Sequence, residues 1–179
     1  KYAAARHIEV IPEIEMPGHA RAAIKAMDAR FRRLSSAGDS AGAGRYLLSE
    51  AEDRSVYLSV QNFPDNVMNP ALESTYAFIE KVVGELVAAH KGAGVPLRNL
   101  HMGGDEVPAG VWEKSPAALA LLKEKRLSSV DDLWFVFYGA YSGMTEGMLR
   151  AYAVDLAPSH LRGTAIGAFY TVNGLALLP

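Results

Sequence analysis

The sequence predicts an α/β chain: two consecutive strand-helix units followed by a hydrophobic, mainly helical tail. Three observations predict it. Short runs rich in Ile, Val and Leu at 7–14 and 95–102 are bounded by turn formers, as strands are. Segments of helical period separate and follow them. Beyond residue 133 the composition changes to aromatic, Gly, Ala and Met residues, with few charges.

In chain order, residues 7–14 predict a strand that ends at the loop Met16-Pro17-Gly18-His19. Residues 20–34 carry Ile24, Met27 and Phe31 at helical spacing, with Arg21, Lys25, Arg32 and Arg33 opposite, which predicts an amphipathic helix lying on a sheet. Its basic residues read as a solvated face. Residues 35–44 are Gly, Ser and Ala apart from Asp39, a flexible loop by composition. Residues 46–70 lack periodicity and read as a long excursion forming a cleft wall. From Ser74, a candidate N-cap, the stripe Tyr76, Ile79, Val82, Val83, Leu86 and Val87 predicts a helix ending near Gly92. A strand over 95–102 completes a right-handed βαβ unit, and residues 115–126 predict a third helix. Trp112, just before it, has two readings: an aromatic wall of a ligand site, or a core anchor.

The chemistry sits in His101-Met102-Gly103-Gly104-Asp105-Glu106. An apolar strand that delivers two acids after a Gly-Gly pair fits the mouth of an α/β fold, where strand ends carry the reacting groups. The glycines admit backbone or substrate at close range. Two adjacent carboxyls hinder each other's ionisation, so one can remain an acid while the other is an anion. A polar turn with solvated acids is the competing reading.

Together with Val107-Pro108 and Trp112, this string resembles the signature of the family-twenty glycoside hydrolases, the β-N-acetylhexosaminidases, and in particular their bacterial chitobiase branch. The resemblance covers about residues 1–132 and includes Val10-Ile11-Pro12-Glu13-Ile14-Glu15-Met16-Pro17-Gly18-His19-Ala20, Tyr57-Leu58-Ser59-Val60-Gln61 and Asp65-Asn66-Val67-Met68-Asn69-Pro70. It implies a partial (β/α)8 TIM barrel and hydrolysis of terminal β-linked N-acetylhexosamine from chitooligosaccharides or glycoconjugates. It also implies substrate-assisted retaining catalysis, with Glu106 as acid and base and Asp105 holding the acetamido group. By the same resemblance His19 and His101 hold or tune the acids, a neutral core histidine being the alternative for each. Glu15 stands where the family commonly has Asp, as a secondary contact. The mechanism needs no metal and no cofactor, and the partner it implies is an oligosaccharide ending in N-acetylhexosamine. A periplasmic or cell-envelope setting goes with the family.

In the tail, Gly139, Gly143 and Gly147 recur at a spacing that lets membrane helices approach closely. The string Pro158-Ser159-His160-Leu161-Arg162-Gly163-Thr164-Ala165-Ile166-Gly167 resembles the loop and helix start of a major facilitator transporter. Over about 134–179 this implies a membrane-transporter-like segment and membrane contact, although no apolar run reaches the roughly eighteen residues of a span. Glu146 and Arg150 can pair on one helix face. The expected domains are thus 1–132 and 133–179, with a join near 132–138.

Composition limits the remaining possibilities. A full eight-unit barrel takes about 250 residues, and this chain has 179, so the reading is a fragment inactive in isolation. A net charge of −2 argues against nucleic-acid binding. The absence of cysteine excludes disulfides and thiolate metal sites. The first residues carry no apolar core of signal-peptide length, so the expected targeting segment is missing from the sequence.

Overall fold

The computed structural model describes residues 1–95, 97–133 and 158–164. The chain forms two compact units, Lys1–Val130 and Asp131–Pro179. The described part of the second includes a 3-10 turn at Ser159–Leu161, and the rest of the expected transporter-like tail lies outside the described residues. Among the described residues, no helix is long and apolar enough to cross a membrane.

The described residues of the first unit include the α-helices α1 (Arg21–Ser36), α2 (Ser40–Gly44), α3 (Glu73–Gly92) and α4 (Pro116–Lys125). Helix α1 follows the predicted period and buries Ile24. Ala20 and Ile24 close on Leu48 and Met68, with Met16, Ala23, Met27 and Phe78 packed around them. Phe31, expected on the same face, stays 38% exposed. Helix α4 starts as its sequence dictates: Ser115 accepts from the Ala118 amide and Pro116 occupies the first turn, where no N–H is needed.

Four expectations are corrected. The strands over 7–14 and 95–102 do not form ladders among the described residues; the two runs meet in a single parallel bridge, Glu13 to His101. Pro12 has no N–H to give a ladder. Ile8, Val10 and Ile11 are each more than half exposed, so no neighbouring layer covers this edge. A lone pair of short strands is marginal without such a layer. Helix α1 therefore packs on Leu48 and Met68 rather than on a sheet. The stretch expected as a flexible loop contains α2, because the Asp39 side chain caps the Gly42 amide at 2.8 Å and Arg30 bonds the Gly42 carbonyl. Ser74 is not the cap of α3; its hydroxyl donates to the Leu47 carbonyl at 2.6 Å, and Leu72 takes the cap position.

The long excursion supplies the core as well as a wall. Residues 66–70 are all buried. Their backbone ties the unit together: Ala20 N–H donates to Asn66 O, Met68 N–H to Pro17 O and Asn69 N–H to Leu48 O, at 2.8–2.9 Å. Asn69 Nδ2 also donates to Ser115 Oγ at 2.9 Å, and Ser115 Oγ donates to Glu50 Oε2 at 2.5 Å, which anchors the start of α4 to this segment.

Asp65 joins the excursion to α1, accepting Arg21 Nε at 2.7 Å and Lys25 Nζ at 2.6 Å. Burial pushes its carboxyl up, but Lys25 and Arg21 outweigh it and hold the group below its ordinary value of 3.8. The folded chain thus favours the anion more than the unfolded chain does. This stabilisation is complete above the ordinary value and is lost as pH falls through the lowered one. Thermal unfolding of Asp65→Asn should show a smaller loss of Tm than the parent on acidification below about pH 4. Parallel acid profiles for the two proteins would exclude this role.

Candidate active site

Two loops meet at the site. The Glu13–His101 bridge sets their register: Ile14 N–H donates to His101 O, and His101 N–H to Pro12 O, both at 2.9 Å. Residues 15–19 on one run therefore lie beside 103–106 on the other. Glycine makes the approach possible. A β-carbon on Gly18 would stand 2.8 Å from the Asp105 carbonyl oxygen. One on Gly103, at φ +72°, would stand 2.8 Å from the Glu15 Cα. Gly103→Ala combines that clash with left-handed strain, and should cost about 2 kcal/mol or more. The urea midpoint measures it, and a midpoint within error of the parent would contradict the close approach.

Glu106 and His19 both adopt left-handed backbone, at φ +52° and +51°. Such conformations are uncommon for residues with a β-carbon and persist where the surroundings over-determine them. Here they turn the two side chains toward each other: His19 Nε2 lies 3.4 Å from Glu106 Oε2. Gln61 Nε2 donates to the same oxygen at 2.8 Å. The Glu106 side chain is 46% exposed, and Asp105 next to it is exposed. Two reachable carboxyl groups thus sit on consecutive residues.

The other expected residues are placed differently. His101 Nδ1 pairs with Glu13 Oε1 at 2.9 Å and lies 3.3 Å from the Gly103 N–H, so it braces the bridge between the two runs. Glu15 lies under Gly103 with Oε2 buried and, among the described residues, without a hydrogen-bond partner. Burial, reinforced by Glu13 and by the Asp105 charge, raises its carboxyl above the ordinary value, with His19 opposing. Its position is beneath the loop rather than on an open surface. Trp112 resolves to its core reading: it is 4% exposed and its Nε1 donates to the Met68 carbonyl at 3.1 Å. Among the described residues no group of His, Asp and Glu could hold a metal ion.

Sequence reasoning passed over Glu13 and Gln61. Gln61 ends the string Tyr57-Leu58-Ser59-Val60-Gln61, before a turn in which Asn62 N–H donates to Ser59 O at 2.8 Å. A polar side chain carried on a tight turn was the available signal, but nothing local says what the turn faces.

Comparison with known proteins gives a consistent set of likenesses. Glycosyl hydrolase family 20, catalytic domain, matches residues 1–153. A β-hexosaminidase of Vibrio vulnificus is 47% identical over 115 residues, which are 64% of this chain and 14% of that protein. An N,N'-diacetylchitobiase of Vibrio harveyi is 49% identical over 107 residues, 59% of this chain and 12% of that one. The chain thus spans about one seventh or less of these relatives. The crystal structure of the family-20 exo-β-N-acetylglucosaminidase of Vibrio harveyi with N-acetylglucosamine aligns at a TM-score of 0.57 and 42% identity. That alignment covers 74% of this chain and 17% of the enzyme. The likeness gives the chain the fold of a TIM-barrel-type fragment. A 47-residue stretch, 26% of this chain and 12% of its match, is 45% identical to an uncharacterized MFS-type transporter of Methanocaldococcus jannaschii.

Proposed function

Because this chain belongs to glycosyl hydrolase family 20, we propose that it carries the acid and acetamide-orienting part of an enzyme that removes terminal β-linked N-acetylhexosamine from chitooligosaccharides or glycoconjugates. In this reading the chain contributes about two consecutive strand-helix units of the barrel. The observation that carries the proposal is the pairing of Glu106 with His19 and Gln61 beside an exposed Asp105. The sugar's own acetamido oxygen attacks the anomeric carbon as the glycosidic C–O bond breaks, and Glu106 gives its proton to the departing oxygen. The carboxylate left on Glu106 then takes a proton from the water that opens the oxazolinium intermediate. Asp105 accepts the acetamido N–H, which fixes the angle of attack and offsets the developing positive charge.

The test is a chimera in which residues 1–132 replace the matching segment of the Vibrio harveyi enzyme. Turnover of an aryl N-acetyl-β-glucosaminide that disappears in Glu106→Gln supports the proposal. A folded chimera without turnover, or one in which Glu106→Gln is fully active, sinks it. The 179-residue chain assayed alone should give no measurable turnover, because it spans only 17% of the enzyme it resembles. Robust activity that Glu106→Gln abolishes would overturn that expectation and show that a partial barrel assembles the site.

The 47-residue similarity to a transporter favours a second reading for the tail alone. In it, residues 133–179 are a membrane-transporter-like segment joined to the hydrolase near 132–138. The family match to residue 153 favours the opposite, a tail that begins as barrel. Sequencing the flanking DNA separates the two: transporter spans downstream support a join, and barrel units support continuity.

A further inference from the structure

Two side chains converge on one oxygen of Glu106, and one of them, Gln61, hydrogen-bonds to it. Gln61 Nε2 lies 2.8 Å from Oε2, and His19 Nε2 lies 3.4 Å from it. A carboxyl oxygen that carries no proton only accepts hydrogen bonds, so the Gln61 amide presents its N–H₂ to Oε2 rather than its carbonyl. The turn that carries Gln61 is built to hold it. Ser59 N–H donates to Phe63 O at 3.0 Å, Phe63 N–H donates to Ser59 Oγ at 3.1 Å, and Asn62 takes a left-handed φ of +62°. The turn is anchored in turn by Tyr57, whose hydroxyl accepts the Val67 amide at 3.1 Å, and by the buried residues 66–70.

We propose that Gln61 is a positioning residue for the general acid: its amide pins Glu106 Oε2, leaving Oε1 to carry the proton delivered to the leaving-group oxygen. A carboxyl held by one oxygen has its free oxygen in a defined direction, and proton transfer requires the donor within hydrogen-bond reach of the departing atom. Rotation about the last side-chain bonds of Glu106 would otherwise exchange the two oxygens and move the proton away. His19 braces the acid from the 15–19 loop and Gln61 braces it from the excursion, so the acid is held between two loops far apart in the chain. This inference rests on the reading of Glu106 as the acid. Gln61 itself touches neither the sugar nor the reacting atoms in this scheme.

The full 179-residue chain tests the contact directly. In a ¹⁵N-labelled sample the Gln61 side-chain amide, assigned by its loss in Gln61→Leu, should resonate at a different position in Glu106→Gln, where the accepting carboxyl oxygen is replaced. A Gln61 amide indifferent to the Glu106 substitution overturns the proposal. Kinetics in the chimera give an independent reading. Gln61→Leu should lower kcat on chitobiose about tenfold, the worth of one hydrogen bond to a charged group, with KM within about twofold. An activated aryl substrate should lose less. Full activity of Glu106→Gln would remove the acid assignment and this proposal with it. An inactive Glu106→Gln beside an unchanged Gln61→Leu would overturn the positioning role alone.

Discussion

Glu106→Gln, made in the chimera, should lower kcat on chitobiose by about 10² to 10⁴-fold, the range expected when a general acid is removed. The amide cannot give up a proton, but it fills the same volume and can still meet Gln61 and His19, so KM should change little. The size of the loss should depend on the leaving group. A sugar hydroxyl leaves poorly without protonation, whereas a nitrophenolate leaves well as the anion. The aryl substrate should therefore lose much less rate than chitobiose does. Equal losses on both substrates would mean that Glu106 does not protonate the leaving group, and that the 46% exposed carboxylate has another role.

Asp105→Asn should be nearly as damaging by a different route. In the proposed mechanism the attacking oxygen belongs to the substrate, so whatever aims the acetamido group controls the rate. Replacing the carboxylate with an amide leaves only a weaker, uncharged acceptor for the acetamido N–H and removes the negative charge beside the forming oxazolinium. The loss should be about 10² to 10³-fold in kcat. Unlike Glu106→Gln, it should fall about equally on aryl and sugar leaving groups, because the bond being assisted is the one that forms. A variant that cleaved N-acetyl sugars at the parent rate would rule out substrate assistance in this protein.

The two loops explain why some of the site was legible and some was not. Asp105 and Glu106 stand out in the sequence because what singles them out is local: adjacent acids after Gly-Gly occupy four consecutive residues. Gly18 and Gly103 could be noticed but not interpreted, since the Asp105 carbonyl and the Glu15 backbone that exclude a β-carbon come from elsewhere in the chain. His19 and His101 looked equivalent in sequence, each beside glycine or one residue from it. Folding separates them: a left-handed φ of +51° turns His19 to Glu106, while the parallel bridge leaves His101 opposite Glu13.

By itself the sequence determined the helices with clear period or caps, α1 and α4, because 3.6-residue spacing and a Ser-Pro start are properties of neighbours along the chain. It also determined the acid pair and the family those motifs resemble. Tertiary structure alone decided that the runs expected as strands meet in one bridge, that the excursion supplies Leu48 and Met68 to the core, and that Gln61, 45 residues before Glu106, reaches its carboxylate. The physical reason is range. Period, caps and adjacent charges act within a few residues, whereas ladder formation, burial and a hydrogen bond across 45 positions depend on which distant segments arrive together.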